Sequence, residues 1–341
     1  MASTVFSTKV ESVTSEEVRS LSRRLCLRNA SVLLAASALC LSESGAAGRQ
    51  FEIVIPLAAG GPADLAGRAI AEELTKKWNE PVITVGKPGA GMVIAVRYLL
   101  EHGGNDGRTM MLGGLGYTTS QFRSTGAPFK TEEIAPVAYL GWIATVLYIR
   151  ASIPANTLAE FVAWGKNNPQ GVAFASSGIG SSPHIAAEEF AALTGIKMTH
   201  IPYTGSAAFM PAIVGGHVDA VFDSPSSRQH VASGKLKALM FGADKPLPSW
   251  PELPVGSAAG LPGFKAGSWF GFLVPAKTPL ALQKKLNQDI NDVLQLPAVR
   301  TRLTQLGFEI TGGTAEDFEK FLLSEHARIG KIIQTRNLVI D

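Results

Sequence analysis

Two stretches of this sequence carry residue types that can hold an anion without a charged side chain. The first is Pro56-Leu57-Ala58-Ala59-Gly60-Gly61-Pro62-Ala63-Asp64 and the second is Ala175-Ser176-Ser177-Gly178-Ile179-Gly180-Ser181-Ser182-Pro183-His184. Each follows a short apolar run and precedes a helical pattern, so each reads as a strand end, a glycine-rich turn and a helix start. Glycine lets a ligand approach the main chain, and the first-turn N–H groups of a helix have no acceptor within it. Either turn can therefore receive a carboxylate, and one such cradle in each half of the chain implies a cleft that clamps a small carboxylate from two sides.

In the first turn Gly60, Gly61, Pro62 and Ala63 offer main chain, and Pro62 stands at the first helical position, where its missing N–H costs nothing. Asp64 invites a catalytic reading, but Arg68 follows it by four residues, the spacing of an ion pair on one helix face. The expectation for Asp64 is a structural pair and cap, with ligand contact through its neighbours. In the second turn the hydroxyls of Ser176, Ser177, Ser181 and Ser182 join Gly178 and Gly180, a composition suited to a carboxylate where no cation is at hand. A phosphate loop would need a Lys-Ser or Lys-Thr pair closing the turn, and there is none. His184 either props the turn or touches the ligand. Tyr203 and Thr204 end another strand and can add a hydroxyl or N–H to the same cleft. Asp223 can accept from an ammonium or hydroxyl of the ligand, or cap its own loop. Of Trp269 and Phe270, one is expected in the core and one lining the cleft.

Other chemistries fit poorly. A hydrolase would need a Gly-x-Ser-x-Gly elbow, and none occurs. His184, His200, His217 and His230 lack the short paired spacing of a metal site. Gly89-Ala90-Gly91 lacks the third glycine of a dinucleotide fingerprint. No catalytic residue, metal or cofactor is expected. The formal charge of +3 over 341 residues, with no Lys/Arg run interleaved with aromatics, gives no reason to expect nucleic acid.

The elements that must position these turns alternate. Short β-branched runs at 52–56, 82–85, 109–112, 137–140, 146–150, 172–175, 199–201, 220–222, 237–241 and 270–274 are separated by amphipathic helical patterns, which argues an α/β fold with mostly parallel sheets. After 274 the pattern reads as almost wholly helical, with Thr314 and Asp317 marking the last helix start. The length and the 46% hydrophobic content suffice for two domains.

Residues 1–46 read as an export segment. Arg23-Arg24 and Arg28 precede an apolar run from 30 to 41, too short to span a bilayer, and small residues at 44–47 allow a cut after Ala46. The arginine pair resembles a twin-arginine signal and points to the periplasm, although Cys26 sits where that pattern prefers Phe. Both cysteines, Cys26 and Cys40, lie in this segment, so the exported chain would have no disulfide.

The two cradles belong to a longer ordered series. It continues with Lys87-Pro88-Gly89-Ala90-Gly91, His200-Ile201-Pro202-Tyr203-Thr204-Gly205-Ser206, Gly215-Gly216-His217-Val218-Asp219-Ala220-Val221-Phe222-Asp223, Gly260-Leu261-Pro262-Gly263-Phe264 and Ser268-Trp269-Phe270-Gly271. Over 51–341 this resembles the periplasmic solute-binding proteins of the tripartite tricarboxylate transporter class, the Bug family. The resemblance implies a type II periplasmic binding protein with two α/β domains, 51–150 plus 272–341 and 151–271, joined by a two-crossing hinge around a central cleft. It implies a monomeric, non-enzymatic receptor that captures a small organic carboxylate and delivers it to membrane permease subunits. A sensor that shows its closed form to a signalling partner would use the same cleft. Three departures bear on ligand class: Thr204 stands where the family usually has Lys or another polar residue, Gly86 and Met92 replace a common Asn and Gly, and 113–119 lacks the usual polar, His-containing version.

Overall fold

The computed structural model describes residues 50–341; the export segment expected at 1–46 lies outside the described residues. Two mixed sheets carry the chain. Strands β1 (Phe51–Ile55), β2 (Val82–Gly86), β3 (Thr109–Gly114), β4 (Ile134–Ala144), β10 (Gly267–Pro275) and β11 (Phe308–Ile310) form the first, in the order β11-β4-β10-β3-β1-β2. Strands β5 (Val146–Arg150), β6 (Val172–Ser176), β7 (Met198–Pro202), β8 (Ala220–Asp223) and β9 (Leu236–Phe241) form the second, in the order β7-β6-β8-β5-β9. The helices are α1 (Pro62–Trp78), α2 (Val93–His102), α3 (Leu115–Thr119), α4 (Leu158–Asn167), α5 (Ser182–Thr194), α6 (Ser206–Val214), α7 (Arg228–Ala232), α8 (Leu280–Gln295), α9 (Pro297–Gln305) and α10 (Ala315–Arg336).

Burial on both faces explains the unbroken apolar runs of the strands. In β1, Ile53 and Ile55 face a core that includes Ile70, Leu74, Leu286 and Ile290, while Val54 faces another with Val96, Leu99 and Met111. α1 comes close to the sheet because Gly67 has no side chain; a β-carbon there would stand 2.4 Å from Ile55 Cδ1. The start of α10 is as expected, with Thr314 Oγ1 accepting from the Asp317 N–H at 3.1 Å.

Three features differ from the pattern read in the sequence. The sheets are not mostly parallel: β10 runs antiparallel to β3 and β4, and β5 antiparallel to β8 and β9. Both strands come from the other lobe and enter their sheets from the crossing end, which fixes their direction. β11, a three-residue edge strand paired with β4, interrupts the helical last third. By sheet membership the crossings fall at Thr145 and at Ala266–Gly267, a few residues before the boundaries read at 150 and 271.

The crossing is pinned by main chain. Thr145 N–H donates to Ala266 O at 2.9 Å, Gly242 N–H to Thr145 O at 2.8 Å, and Ala266 N–H to Gly242 O at 3.0 Å. Beside it, α5 of the second lobe packs on the first. Ile185 is buried with Leu115, Tyr117, Trp269, Ile329 and Ile332. Two ion pairs continue the contact to α10: Arg336 Nε lies 2.9 Å from Glu188 Oε2, and Arg328 Nη1 lies 2.6 Å from Glu189 Oε2. Arg328 also holds Glu325, at 2.8 Å. Removing it leaves two partly or fully buried carboxylates facing each other, so Arg328→Met should lower the unfolding free energy by roughly 3 kcal/mol. Urea denaturation checks this, and an unchanged midpoint would place the cluster among ion pairs of no consequence.

Candidate functional site

The first cradle follows β1, at the carboxyl end of a strand flanked by β3 and β2. Gly60 takes φ +80, a conformation that glycine adopts without strain. α1 then begins with Gly61 as N-cap, no side-chain cap, and Pro62 in the first turn. Asp64 does not present a free carboxylate. It is 5% exposed, accepts the Gly60 N–H at 2.9 Å, and takes Arg68 Nε at 3.0 and 3.1 Å. The Arg68 hydrogen bond holds its pKa below the ordinary range. Asp64 is therefore the strut of the turn, and the first-turn N–H groups at Ala63 and Asp64 are the ones that a helix leaves without an internal acceptor.

The second cradle, after β6, is tied together from within. Ser176 is fully buried; its Oγ accepts the Gly178 N–H at 3.0 Å and donates to Gly178 O at 3.0 Å. Ser181 Oγ donates to Gly178 O at 2.6 Å, so this N-cap residue leaves the start of α5 without a side-chain cap. Gly178 and Gly180 take φ +117 and +74. Ser177 is exposed at the tip. Gly180 also meets the first lobe, since a β-carbon there would stand 3.2 Å from Thr119 Oγ1 and 3.4 Å from Ile340 Cγ2.

His184 props this turn. It is 4% exposed, and its Nδ1 accepts the Gly180 N–H at 3.0 Å, which requires that nitrogen to be unprotonated. His200 stacks on it with ring centroids 4.0 Å apart, and His200 Nε2 lies 2.6 Å from Ser176 Oγ. Burial, and then the neighbouring His200, lower the His184 pKa to about 3; burial lowers that of His200 to about 4. Both rings are neutral at physiological pH. His200 thus supports the second cradle, a role that the sequence does not give it although it opens one of the ordered motifs. The signal for it is register: in the β6–β7 ladder it pairs with Phe174, two residues before Ser176.

A third helix start lies beside the second cradle. Tyr203 N–H donates to Ser176 O at 3.0 Å, and Thr204 is exposed. α6 opens at Gly205, φ +141, again with no side-chain cap. Asp223 ends β8 and is 7% exposed, accepting from Ser206 Oγ at 3.1 Å and Ser227 Oγ at 2.6 Å. Burial raises its pKa, against the pull of those hydroxyls and of the Ser224 N–H. Trp269 and Phe270 are 0% and 5% exposed, so both are packed in the core. The indole N–H of Trp269 donates to Thr118 Oγ1 at 3.2 Å. Among the described residues no group of three or more His, Cys, Asp or Glu could hold a metal ion, and no helix is long and apolar enough to cross a membrane.

Residues 66–338 match the model of the tripartite tricarboxylate transporter family receptor. A protein encoded in the tcbD–tcbE intergenic region of Pseudomonas sp. is 30% identical over 283 residues, 82% of this chain and 84% of that one. Rpa4515 of R. palustris, solved with adipate, superposes with a TM-score of 0.78 at 26% identity, over 86% of this chain and 99% of that one. MatC from Rhodopseudomonas palustris, solved with malate, gives 0.72 at 28% identity, over 84% and 99%.

The two histidines set a pH dependence. Their folded pKa values lie below the ordinary 6.5, so the unfolded chain binds more protons between those limits. Stability should be full above about pH 6.5 and fall as pH drops toward 4 and then 3, by about 1.4 kcal/mol per unit of depression. Asp223 acts in the opposite sense, because a raised folded pKa favours the folded state at low pH. The pair to compare is therefore wild type and His184→Asn, which keeps an acceptor for Gly180 without titrating. Urea midpoints from about pH 7 to about pH 4.5 should fall less in the variant; parallel curves would show that His184 does not carry the effect.

Proposed function

The chain belongs to the tripartite tricarboxylate transporter family of receptors, and on that premise we propose that it is an exported receptor that closes on a small organic carboxylate and hands it to membrane permease subunits. The observation that carries this reading is that the helices after β1, β6 and β7 all begin without a side-chain cap, at Gly61, Ser181 and Gly205. Each presents main-chain N–H groups and the positive end of a helix dipole, the arrangement that receives a carboxylate. The side chains that could compete for those groups face elsewhere: Asp64 binds Gly60 and Arg68, Ser181 binds Gly178, and Asp223 binds Ser206 and Ser227.

In this reading Gly60, Gly61, Pro62 and Ala63 form one wall, with Asp64 holding it in shape. Ser177, Gly178, Gly180 and Ser181 form the other, with Ser176 and His184 holding it. Tyr203 and Thr204 flank the second wall, and Asp223 orients the start of α6 through Ser206 Oγ. The bound adipate and malate of the two structural neighbours support a small carboxylate as ligand. The receptor acts as a monomer, does no chemistry on its ligand, and works in the periplasm.

A thermal-shift series with mono-, di- and tricarboxylates, amino acids and aromatic acids, on protein refolded free of ligand, tests this. A selective rise that grows with ligand concentration is expected, equivalent to about 2.7 kcal/mol at a hundredfold excess over Kd. No response to any carboxylate would end the receptor reading. Asp64→Asn, which still accepts from Gly60, should retain most of the affinity, while Asp64→Ala should lose about tenfold or more, the worth of about 1.4 kcal/mol. Equal losses in both would mean that the charge, not the strut, is what the cleft needs.

A further inference from the structure

After β2 the chain passes through four consecutive residues with positive φ: Gly89 at 122°, Ala90 at 47°, Gly91 at 60° and Met92 at 74°. Two are glycines, for which this is free. Ala90 and Met92 are not, and a non-glycine residue held there costs about 1–2 kcal/mol; of the two, only Met92 carries a side chain long enough to reach another loop. The main chain fixes it, with Met92 N–H donating to Gly89 O at 3.1 Å and Val93 N–H to Ala90 O. A glycine would satisfy the same backbone without strain, so what Met92 adds must lie in its side chain.

That side chain is 5% exposed and lies on the turn that ends β3. A β-carbon at Gly114 would stand 2.9 Å from Met92 Cε, and one at Gly116 would stand 3.0 Å from Met92 Cγ and 3.1 Å from Gly91 O. Glycines on one loop and a methionine on the other are complementary: the thioether fills the room that the absent side chains leave. Position gives this a consequence. β1 lies between β2 and β3 in the sheet, and Lys87 N–H donates to Ile55 O at 2.8 Å. A side chain reaching from the β2 loop to the β3 loop therefore crosses beside the carboxyl end of β1, where the first cradle begins. Gly91 is exposed and Gly116 half-buried, so the hollow that Met92 fills reaches the protein surface beside the first cradle.

We propose that Met92 is a specificity-determining residue: its thioether stops the hollow between the β2 and β3 loops and thereby limits how long a carboxylate the first lobe accepts. This rests on the receptor reading above. A carboxylate anchored on the Gly60–Ala63 turn would run its remaining chain past this hollow. With Met92 in place only a short chain fits; with the hollow open, extra methylene groups have an apolar surface to bury against, formed by residues such as Leu115, Tyr117 and Trp269.

The test is a set of Kd values for straight-chain mono- and dicarboxylates of increasing length, measured calorimetrically on wild type, Met92→Gly and Met92→Leu. Wild type should bind best at one length and fall off beyond it. Met92→Gly should move the optimum to longer chains, improving affinity for them about tenfold per methylene accommodated, while Met92→Leu keeps the wild-type order. If Met92→Gly fails to melt cooperatively, Met92→Ala should give the same shift over a smaller range. An unchanged order in Met92→Gly or Met92→Ala, with wild type binding normally, overturns this inference and leaves the receptor reading intact. Wild type that binds no member of the series overturns both.

Discussion

An α-helix cannot satisfy its own first N–H groups, and most of this molecule's architecture follows from where those groups are left. Helices α1, α5 and α6 open at the carboxyl ends of β1, β6 and β7 with glycine or an inward-turned serine at the N-cap. Thr157 and Thr314 cap α4 and α10 with side chains, whereas α2, α3, α7, α8 and α9 also begin without such a cap, so what sets α1, α5 and α6 apart is the glycine-rich turn from which each opens. An uncapped helix start keeps its N–H groups available, at a cost in forgone capping of a few tenths of a kcal/mol for a glycine N-cap and about 1 kcal/mol for the inward-turned Ser181. The surrounding packing makes up that loss and also holds the turns rigid, so the dipoles are in place before a ligand arrives.

Rigidity of each cradle comes from a buried group aimed at the turn itself. Asp64 accepts the Gly60 N–H, and His184 accepts the Gly180 N–H. Both sit at the fourth position after the glycine, so the strut lies one helical turn into the helix it serves. The two struts differ in charge state. Asp64 is kept ionised by Arg68, whereas His184 is kept neutral by burial. A charged ring under the second cradle would donate from Nδ1 and push away the very N–H it now receives. Stacking on His200, itself neutral and linked to Ser176, holds the ring edge toward Gly180. α5 carries this machinery and is also the element fastened to α10 through Glu188 and Glu189. The second cradle is thus anchored to both lobes.

Much of this was legible in the sequence, and what was not shares one cause. The cradles were legible because their chemistry is local: glycine where φ is positive, proline in the first turn, serines around the turn, and Asp64 four residues before Arg68. The α/β class followed from periodicity, and the structural role of Asp64 from helix spacing. His200 was missed because its partners, Ser176 and His184, are distant in sequence and become neighbours only through the β6–β7 register. The antiparallel entry of β5 and β10 was missed for a related reason, since direction depends on which sheet a strand joins, not on its own residues. β11 has three residues, too few for an alternation to show. Trp269 and Phe270 carry no local mark that separates core from cleft; both are core because β10 is an interior strand covered on its two faces.

The same division between local and non-local information separates what the site shares from what makes it particular. Anchoring by main-chain groups depends on a few glycines and helix starts, and it is blind to anything beyond one carboxylate. In the proposed receptor, discrimination has to come from side chains on neighbouring loops, and the turns after β2 and β3 flank the first cradle. There the chain tolerates a left-handed methionine where a glycine would be free of strain, and packs it on glycines of the facing turn. Strain that is retained in this way has to be offset by the contacts it makes possible. On the proposal made for Met92, a residue whose backbone cost is borne for a buried side chain is where the common anchor ends and this receptor's own selectivity begins.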